Sequence, residues 1–297
     1  ETCAAVGAGF FSQRMNQLTC NARYMDEVER VLYNNVLTGV SLSGDKYTYQ
    51  NPLNTDKPDR WEWHVCPCCP PMFLKIMAAM PGYIYAYQGD NVYVNLFIGS
   101  EVRVPVGKSN SVRLKQLTSY PWHGAVSIQV NPDKASTFSM KVRIPGWAQG
   151  TENPYDLYQS NLKAPVKLKV NQEDVLLRIV DGYAEINREW KKGDHIELEL
   201  PMQPRLITAN KAVENLRGQV ALASGPIIYC FEDADNPELQ TFKLQAQTPL
   251  ELSHDSNLLN GVNIIKCQGD IPAKAIPYYA VANREESHSY KVWIPQK

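Results

Sequence analysis

Three cysteines within four positions form the densest group of reactive side chains in this 297-residue sequence, in the segment HVCPCCPP at residues 64–71. Cys68 and Cys69 are adjacent, and a disulfide between them would strain the peptide that joins them. Pro70 and Pro71 fit the first turn of a helix that starts after Cys69. Because a helix N-terminus stabilises a thiolate and lowers its pKa, the segment favours metal ligation or nucleophilic chemistry.

A second pair of ligand-type residues, Glu1 and Cys3, lies at the head of the first predicted helix. One carboxylate and three thiolates make a possible tetrahedral zinc set, formed by Glu1, Cys3, Cys68 and Cys69. The spacing is not the repeated CxxC of zinc ribbons, so it does not specify the role of the metal. On chemistry alone, a closed structural zinc site and a catalytic site are equally compatible with these residues.

The remaining cysteines divide into two groups. Seven is an odd number, which argues against a closed disulfide framework as their main use. Cys66 could replace one of the four zinc ligands, although Cys68 and Cys69 lie nearer the predicted helix start. The other three occupy apolar or strand contexts and are predicted to pack as small hydrophobic side chains: Cys20, Cys230 and Cys267.

Helices are expected to position the four candidate zinc ligands, because the apolar residues of the N-terminal part recur with the period of a helix. Residues 3–39 predict two helices, the second of which ends at Gly39. The first helix carries an apolar stripe of Phe11, Met15 and Leu18. Residues 42–53 predict a hairpin, and a third helix is predicted from Cys69 to Pro81.

From Tyr83 onward the hydrophobic period changes to two, which is typical of strands. Several short strands with regular turn signals predict a β-sandwich or jelly roll. The fold class is therefore mainly β, with a helical region at residues 1–82 and a β region at residues 83–297 that could divide into two smaller sandwiches near residue 205. The clearest predicted strands are at residues 83–87, 92–96, 126–130, 166–170 and 195–200.

Charge and hydropathy exclude several classes of protein. Lys and Arg number 30 against 31 Asp and Glu, so the sequence lacks the basic surplus that binding to nucleic acid or an anionic membrane requires. No apolar run approaches the roughly 20 residues that span a bilayer. The chain starts with Glu1, without an initiator Met or a signal core, so we expect a fragment of a longer protein whose compartment cannot be read.

Taken together, the motifs resemble glycoside hydrolase family 127, the β-L-arabinofuranosidase family. The resemblance extends from Glu1 nearly to Trp293, and the cysteine segment is its most specific part. The matching stretches are ETCA at 1–4, ERVLYN at 29–34, YQNP at 49–52, CPCCPP at 66–71, GYIY at 82–85, RIPGW at 143–147, residues 190–201, GPIIY at 225–229 and IPYYA at 276–280.

The resemblance implies that the helical region is the last part of a truncated (α/α)6 barrel, followed by β-sandwich domains. It implies that Glu1, Cys3, Cys68 and Cys69 hold a Zn²⁺ ion and that Cys68 is also the nucleophile. It matches two further positions, Glu29 and Tyr49, to residues that contact the sugar. Glu29 could instead be a solvated helix charge, and Tyr49 a packing tyrosine in a strand. The implied ligand is an arabinose-containing oligosaccharide or polysaccharide, and a homodimer is an open alternative to a monomer.

The implied reaction is hydrolysis with retention in two steps. Zinc keeps a thiol deprotonated at neutral pH, and Cys68 then attacks the anomeric carbon to give a thioglycosyl intermediate that water hydrolyses. A carboxylic acid is required to protonate the leaving oxygen and to activate the water. In the family that carboxylate lies upstream of the stretch matching Glu1, so we expect this chain alone to be inactive or nearly so.

Two other functions are compatible with the β region. It could be a carbohydrate-binding module in which aromatic residues hold a polysaccharide, although tyrosine enrichment is ordinary for strands. It could also be a scaffold that braces the helical region beside a structural zinc site. The aromatic residues weighed for the binding module are Trp122, Trp147 and Trp190.

Overall fold

The computed structural model of the chain describes residues 1–162, 164–269 and 271–297. Helices precede residue 85, and strands make up most of the rest, so the predicted mainly β class is confirmed. The longer helices are α1 (Thr2–Thr19), α2 (Arg23–Val31), α3 (Cys69–Ala79) and α4 (Pro81–Ile84), and α2 continues into a π-helical turn at Leu32–Val36 and a 3₁₀ turn at Leu37–Gly39.

Helices α1, α2 and α3 pack closely around Gly9 of α1. A Cβ atom built on Gly9 would lie 3.4 Å from both Ile76 of α3 and Val31 of α2, so a larger side chain would separate the helices. Cys20 ends α1 in the left-handed conformation, with a φ of 53°. The two helices predicted within residues 3–39 are thus present, with this break between them, and the predicted stop at Gly39 is confirmed.

The apolar stripe of α1 does not face the core. Phe11 is 64% exposed and Leu18 is 79% exposed, whereas the buried side of the helix is formed by Val6, Gly9 and polar residues. The periodicity therefore predicted the helix correctly but not its buried side. A helix that buries small and polar residues on one side and exposes large apolar ones on the other has two sides suited to packing.

Residues 42–53 do not form the predicted hairpin. Tyr47 makes isolated bridges with Val40 and with Trp61, and no strand pair joins the two halves of the segment. The backbone instead bonds to the start of α1, where Thr2 N–H donates to the Tyr49 carbonyl at 3.0 Å. The Thr2 hydroxyl donates to the Thr48 carbonyl at 2.7 Å, so this segment is fixed against the head of α1.

The strands begin two residues later than the alternation predicts, because Pro81 starts the short helix α4 and Tyr83 belongs to it. The other predicted strands are present with small shifts in their ends. In chain order the strands are β1 Asn54–Thr55, β2 Tyr85–Gln88, β3 Asn91–Val94, β4 Ser100–Val106, β5 Asn110–Thr118, β6 Ala125–Pro132, β7 Ser136–Arg143, β8 Tyr158–Ser160, β9 Lys167–Val170, β10 Glu173–Asp174, β11 Ile179–Val180, β12 Tyr183–Trp190, β13 Asp194–Glu199, β14 Arg205–Ala209, β15 Gln219–Ser224, β16 Ile227–Glu232, β17 Leu250–Asp255, β18 Val262–Cys267, β19 Ala273–Pro277, β20 Tyr290–Lys291 and β21 Ile294–Pro295.

Two sheets form the first part of the β region. The six-stranded sheet has the order β10-β9-β13-β6-β5-β4 and is antiparallel throughout. The five-stranded sheet has the order β11-β12-β7-β3-β2, and its β3–β7 pair is parallel. Alternate residues of both sheets are buried in one hydrophobic core, as the period of two requires, for example Val94, Leu114, Ile128 and Met140.

A ten-stranded sheet forms the C-terminal part, with β17-β18-β19-β16-β15-β14-β8 as its main path and β1, β20 and β21 joined at its sides. One side of this sheet has a smaller core of its own, with Ile207, Cys230 and Ile276 among its members. Strand β1 belongs to this sheet although it lies between helices in sequence, so it ties the helical region to the C-terminal part. Within the described residues, no helix is both long and apolar enough to cross a membrane.

Candidate functional site

The four predicted zinc ligands lie together. Ligand atoms of Glu1, Cys3, Cys68 and Cys69 are all within 4.8 Å of one another. The Cys3 Sγ atom is 2.6 Å from the Glu1 Oε1 atom and 3.1 Å from the Cys68 Sγ atom. The Cys68 Sγ atom is 3.7 Å from Glu1 Oε1 and 3.8 Å from Cys69 Sγ. Two segments separated by 65 positions in the sequence therefore meet at one cluster.

Two helix starts create the cluster. Glu1 caps α1 and Cys3 lies in its first turn, whereas Cys68 caps α3 and Cys69 is its first residue. The prolines that follow Cys69 suit the first turn of α3, because proline needs no hydrogen-bond acceptor there. Each helix start directs unpaired backbone N–H groups and positive dipole charge toward the cluster, which stabilises thiolate and carboxylate ligands.

The donor set fits a zinc ion. One carboxylate and three thiolates are the ligand types of tetrahedral zinc, and a Zn–S distance of 2.3 Å separates two sulfur ligands by roughly 3.8 Å. The Cys68–Cys69 and Cys68–Glu1 distances agree with this spacing, whereas the two contacts of Cys3 are shorter. Glu1 is exposed and Cys69 is buried, so the cluster is closed on one side and accessible on the other.

Close packing of acidic groups opposes negative charge on the thiols. Burial, with the neighbouring Glu1 carboxylate and the other two thiols, raises the pKa of the Cys3 thiol well above its usual value. Burial is also the main cause that raises the pKa of Cys69. The hydrogen bond from Cys3 lowers the pKa of Glu1. Thiolates at these positions therefore need a nearby cation.

Tyr49 lies beside the cluster. The charge on the nearby Glu1 carboxylate, followed by burial, raises the pKa of Tyr49 to about 12. The backbone bond between Thr2 and the Tyr49 carbonyl holds this residue at the head of α1. Tyr49 is half-buried, so part of its ring faces the accessible side of the cluster.

An aromatic group next to Tyr49 was not identified from the sequence as part of the site. The rings of Tyr49 and Trp61 lie 6.5 Å apart and nearly parallel, and His64 packs against both, at 5.6 Å and 4.8 Å between ring centroids. His64 is 2% exposed, and neither of its ring nitrogens has a hydrogen-bond partner among the described residues. The signal in the sequence was the pair of tryptophans, Trp61 and Trp63, directly before the cysteine segment.

Glu29 does not join the cluster. It is 1% exposed, and its carboxylate accepts hydrogen bonds from Arg143 at 2.5 Å and from Tyr120 at 2.8 Å. The indole of Trp147 donates to its other oxygen at 3.3 Å. Glu29 is therefore not a solvated helix charge, and its contact with a sugar stays a prediction.

The other cysteines lie outside the cluster. Cys66 is exposed, and its carbonyl accepts a hydrogen bond from the Cys68 N–H at 2.9 Å, which turns the chain into α3. Cys230 and Cys267 are buried in the strand region, as expected for packing residues. Cys20 is half-buried at the end of α1.

Models of one enzyme family match nearly the whole chain. Residues 1–82 match "Beta-L-arabinofuranosidase, GH127 catalytic domain", residues 91–202 match the middle domain of the same enzymes, and residues 204–295 match the glycoside hydrolase family 127 C-terminal domain. A non-reducing end β-L-arabinofuranosidase from Bifidobacterium longum subsp. longum is 30% identical over an alignment of 335 residues, which covers 96% of this chain and 47% of the relative.

Solved structures agree with these matches. A β-arabinofuranosidase of this family superposes with a TM-score of 0.93 and 35% identity, over 100% of this chain and 49% of the other. A β-L-arabinofuranosidase from Geobacillus stearothermophilus T6 gives a TM-score of 0.90 and 34% identity, over 100% of this chain and 50% of the other. The chain thus spans about half the length of the relatives it matches. In sequence and in fold, it belongs to glycoside hydrolase family 127.

Proposed function

We propose that this chain carries the nucleophile and the metal site of a retaining glycosidase that cleaves β-L-arabinofuranosides in arabinose-containing glycans. The observation that carries the proposal is the position of Cys68, whose sulfur lies within 3.8 Å of two other thiols and a carboxylate at a helix start. The names of the relatives support the choice of sugar.

The metal in this proposal is zinc, held by Glu1, Cys3, Cys68 and Cys69. Their donor types and mutual distances fit it. When bound, zinc supplies the positive charge that keeps these thiols deprotonated at neutral pH. The proposal assigns Cys66 no ligand role, because it lies outside the cluster.

In the first step the Cys68 sulfur attacks the anomeric carbon, so that a C–S bond forms while the glycosidic C–O bond breaks. The leaving oxygen takes a proton from a carboxylic acid. In the second step the same carboxylate removes a proton from water, whose oxygen displaces the thiolate and releases arabinose with its original configuration. In this proposal Tyr49 bonds a sugar hydroxyl beside Cys68, and Glu29, which Arg143 holds in position, is the second sugar-contacting residue.

This chain contributes the nucleophile rather than the proton donor in our proposal. Among the described residues, Glu1 is the one carboxylate that hydrogen-bonds Cys68, and it is assigned to the metal. For a glycoside with an alkoxide leaving group, the described residues therefore supply no second carboxylate beside Cys68 that could act as the proton donor. We expect the chain alone to turn over such substrates very slowly.

We further propose that the helices are part of an (α/α)6 barrel and that residues 83–297 form two β-sandwiches, with a boundary near residue 205. The exposed apolar side chains of α1 and α3 support the first point, because barrel helices bury such residues against their neighbours. The family matches that meet between residues 202 and 204 support the second. The exposed side chains are Phe11, Leu18, Leu74 and Met77. A homodimer stays a prediction.

The proposal is tested with 4-nitrophenyl β-L-arabinofuranoside, whose leaving group departs without protonation. We expect the zinc-loaded chain to release about one nitrophenolate per molecule in a burst, and its intact mass to increase by one arabinosyl group carried on Cys68. Cys68→Ser is expected to show neither the burst nor the adduct, and Cys66→Ser to retain both.

Three outcomes would contradict the proposal. A zinc-loaded chain without a burst would assign the cluster a structural role. A burst of equal size in Cys68→Ser would remove the nucleophile assignment. Rapid steady-state hydrolysis of an alkyl arabinofuranoside by this chain would overturn the expectation that it lacks a proton donor, which the burst experiment alone does not address.

A further inference from the structure

A cleft of about 910 Å³ lies between the six-stranded sheet and the ten-stranded sheet, and none of the cluster residues lines it. Its volume is in the upper part of the range of ligand sites, roughly 300–1,000 Å³. The loop between β5 and β6 forms one wall with Trp122 and His123, and strands β17 and β18 form the opposite wall. Residues 200–204, which connect the two sheets, form the floor.

Hydrogen bonds hold the two walls together. The buried Asn263 amide of β18 donates from Nδ2 to the Trp122 carbonyl at 3.1 Å, which leaves its Oδ1 as an acceptor. His254 Nδ1 lies 3.0 Å from that oxygen, so this nitrogen is the donor and Nε2 is the second polar atom of the ring. Asn263 therefore links Trp122 to His254.

The charges that line the cleft are balanced. Lys167 of β9 and Glu199 of β13 occupy paired positions in the six-stranded sheet, so one cation lies opposite one anion. A cleft without a surplus of either sign gives little selectivity for a charged ligand. Apart from His123, Ser253 and His254, the remaining lining is apolar or amide, and it includes Leu252, Met202 and Gln203.

Trp122 supplies the apolar surface for a ligand. Its ring is half-buried and packs against Tyr279 at 6.3 Å between centroids. The two other tryptophans considered for carbohydrate binding are in the core, since Trp147 is 7% exposed and Trp190 is 0% exposed. A sugar presents an apolar face of C–H groups and a rim of hydroxyls, which matches an aromatic wall with hydrogen-bonding groups around it.

We propose that this cleft is a second carbohydrate site, which binds an uncharged segment of the glycan chain away from the cysteine cluster. Trp122 contacts a sugar face, and His254 Nε2 makes a hydrogen bond to a sugar hydroxyl. The uncharged and polyhydroxylated nature of the ligand follows from the cleft, whereas the choice of an arabinose-containing glycan rests on the proposed function. Such a site increases the local concentration of polymer near the nucleophile.

The experiment is affinity electrophoresis of the complete chain in gels containing soluble arabinan. We expect arabinan to retard the chain, and Trp122→Ala to weaken the association by about tenfold or more, as for a buried aromatic contact. His254→Ala is expected to weaken it several-fold and keeps the test valid if Trp122→Ala unfolds, because His254 is exposed. Tyr87→Ala, at an exposed tyrosine of β2, is the matched control and should behave as the wild type.

Salt and a second polymer sharpen the result. Association with an uncharged glycan should be nearly independent of salt, because no ion pairs are screened. The proposed site would be wrong if arabinan did not change the mobility of the wild type. It would also be wrong if arabinan retarded the wild type, Trp122→Ala and His254→Ala equally. Equal retardation by hydroxyethyl cellulose would overturn the choice of an arabinose-containing ligand. The burst at Cys68 is measured separately, so failure of the cleft and failure of the nucleophile are distinguishable.

Discussion

Arg143, the last residue of β7, donates to both carboxylate oxygens of Glu29 in α2, at 2.5 Å and 3.3 Å. Arg143 is fully buried, and it also donates to Asp26 of α2 at 2.6 Å. Although burial opposes its charge, the two carboxylates raise the pKa of Arg143 above its usual value. One arginine thus fastens the helical region to the five-stranded sheet.

We expect Arg143→Met to lower the free energy of unfolding by about 3–5 kcal/mol, because it leaves two carboxylates without their cation in a buried place. The control is Arg113→Ala, since Arg113 forms an exposed pair with Glu101 at 3.5 Å. An exposed pair contributes about 0–1 kcal/mol. Urea denaturation of both variants measures the difference, and equal effects would show that the buried pair has no special role.

Asp26 makes the stability of this junction depend on pH. Burial, opposed by Arg143, raises the pKa of Asp26 from 3.8 to about 6. Because the folded state binds this proton more tightly than the unfolded state, the stabilisation is complete below about pH 4 and is lost as the pH rises through 6. The free energy of unfolding falls by at most about 3 kcal/mol over this interval, because the pKa of Asp26 is higher by roughly two in the folded state than in the unfolded state.

Asp26→Asn should remove this dependence. We expect the unfolding free energy of the wild type, relative to the variant, to fall between about pH 4 and pH 6.5 and to be constant outside that interval. Urea denaturation at half-unit steps of pH measures it. Parallel profiles of the two proteins would mean that Asp26 titrates near its ordinary value.

Much of the site could be predicted from the sequence because its geometry is local. Pro70 and Pro71 indicate a helix start, and a helix start places Cys68 and Cys69 next to each other. The partner pair Glu1 and Cys3 is also at a helix start, so two local signals describe most of the cluster. The meeting of the two helices depends on packing at distant positions, which the sequence pattern does not contain.

Two features of the structure were not predicted from the sequence, for different reasons. Glu29 pairs with Arg143, which is 114 positions away, and nothing in the local pattern predicts that an arginine is buried there. The contact of Glu29 with a sugar stays a prediction. The strand predicted at residues 83–87 begins at Tyr85, because Pro81 starts a short helix at a place where alternation alone predicts a strand.

Gly39 packs against Thr2 at the start of α1, so a substitution at Gly39 should displace the start of this helix. A Cβ atom on Gly39 would lie 2.8 Å from the Thr2 Cγ2 atom, and Thr2 cannot rotate freely because its hydroxyl bonds the Thr48 carbonyl. We expect Gly39→Ala to cost about 1–3 kcal/mol of stability and to weaken zinc binding, because α1 carries Glu1 and Cys3.

Gly7→Ala in α1 is the matched control for Gly39→Ala. No atom lies within 4 Å of a Cβ built on Gly7, so alanine should stabilise the helix by roughly 0.5–1 kcal/mol. Thermal unfolding of the two zinc-loaded variants measures the contrast. A neutral Gly39→Ala with unchanged zinc affinity would show that Thr2 does not fix the position of Glu1 and Cys3.

The metal itself is tested by comparing neighbouring cysteines. We expect the purified chain to hold about one zinc ion and Cys68→Ser or Cys69→Ser to bind it at least about a hundredfold more weakly, because each substitution removes a thiolate ligand. Cys66→Ser should retain the zinc, since Cys66 is exposed and lies outside the cluster. Elemental analysis and competition with a chelator measure content and affinity, and a chelator should lower the melting temperature of the wild type and Cys66→Ser alone. If Cys66→Ser loses zinc as completely as Cys68→Ser, then Cys66 is a ligand and the proposed set of Glu1, Cys3, Cys68 and Cys69 is wrong.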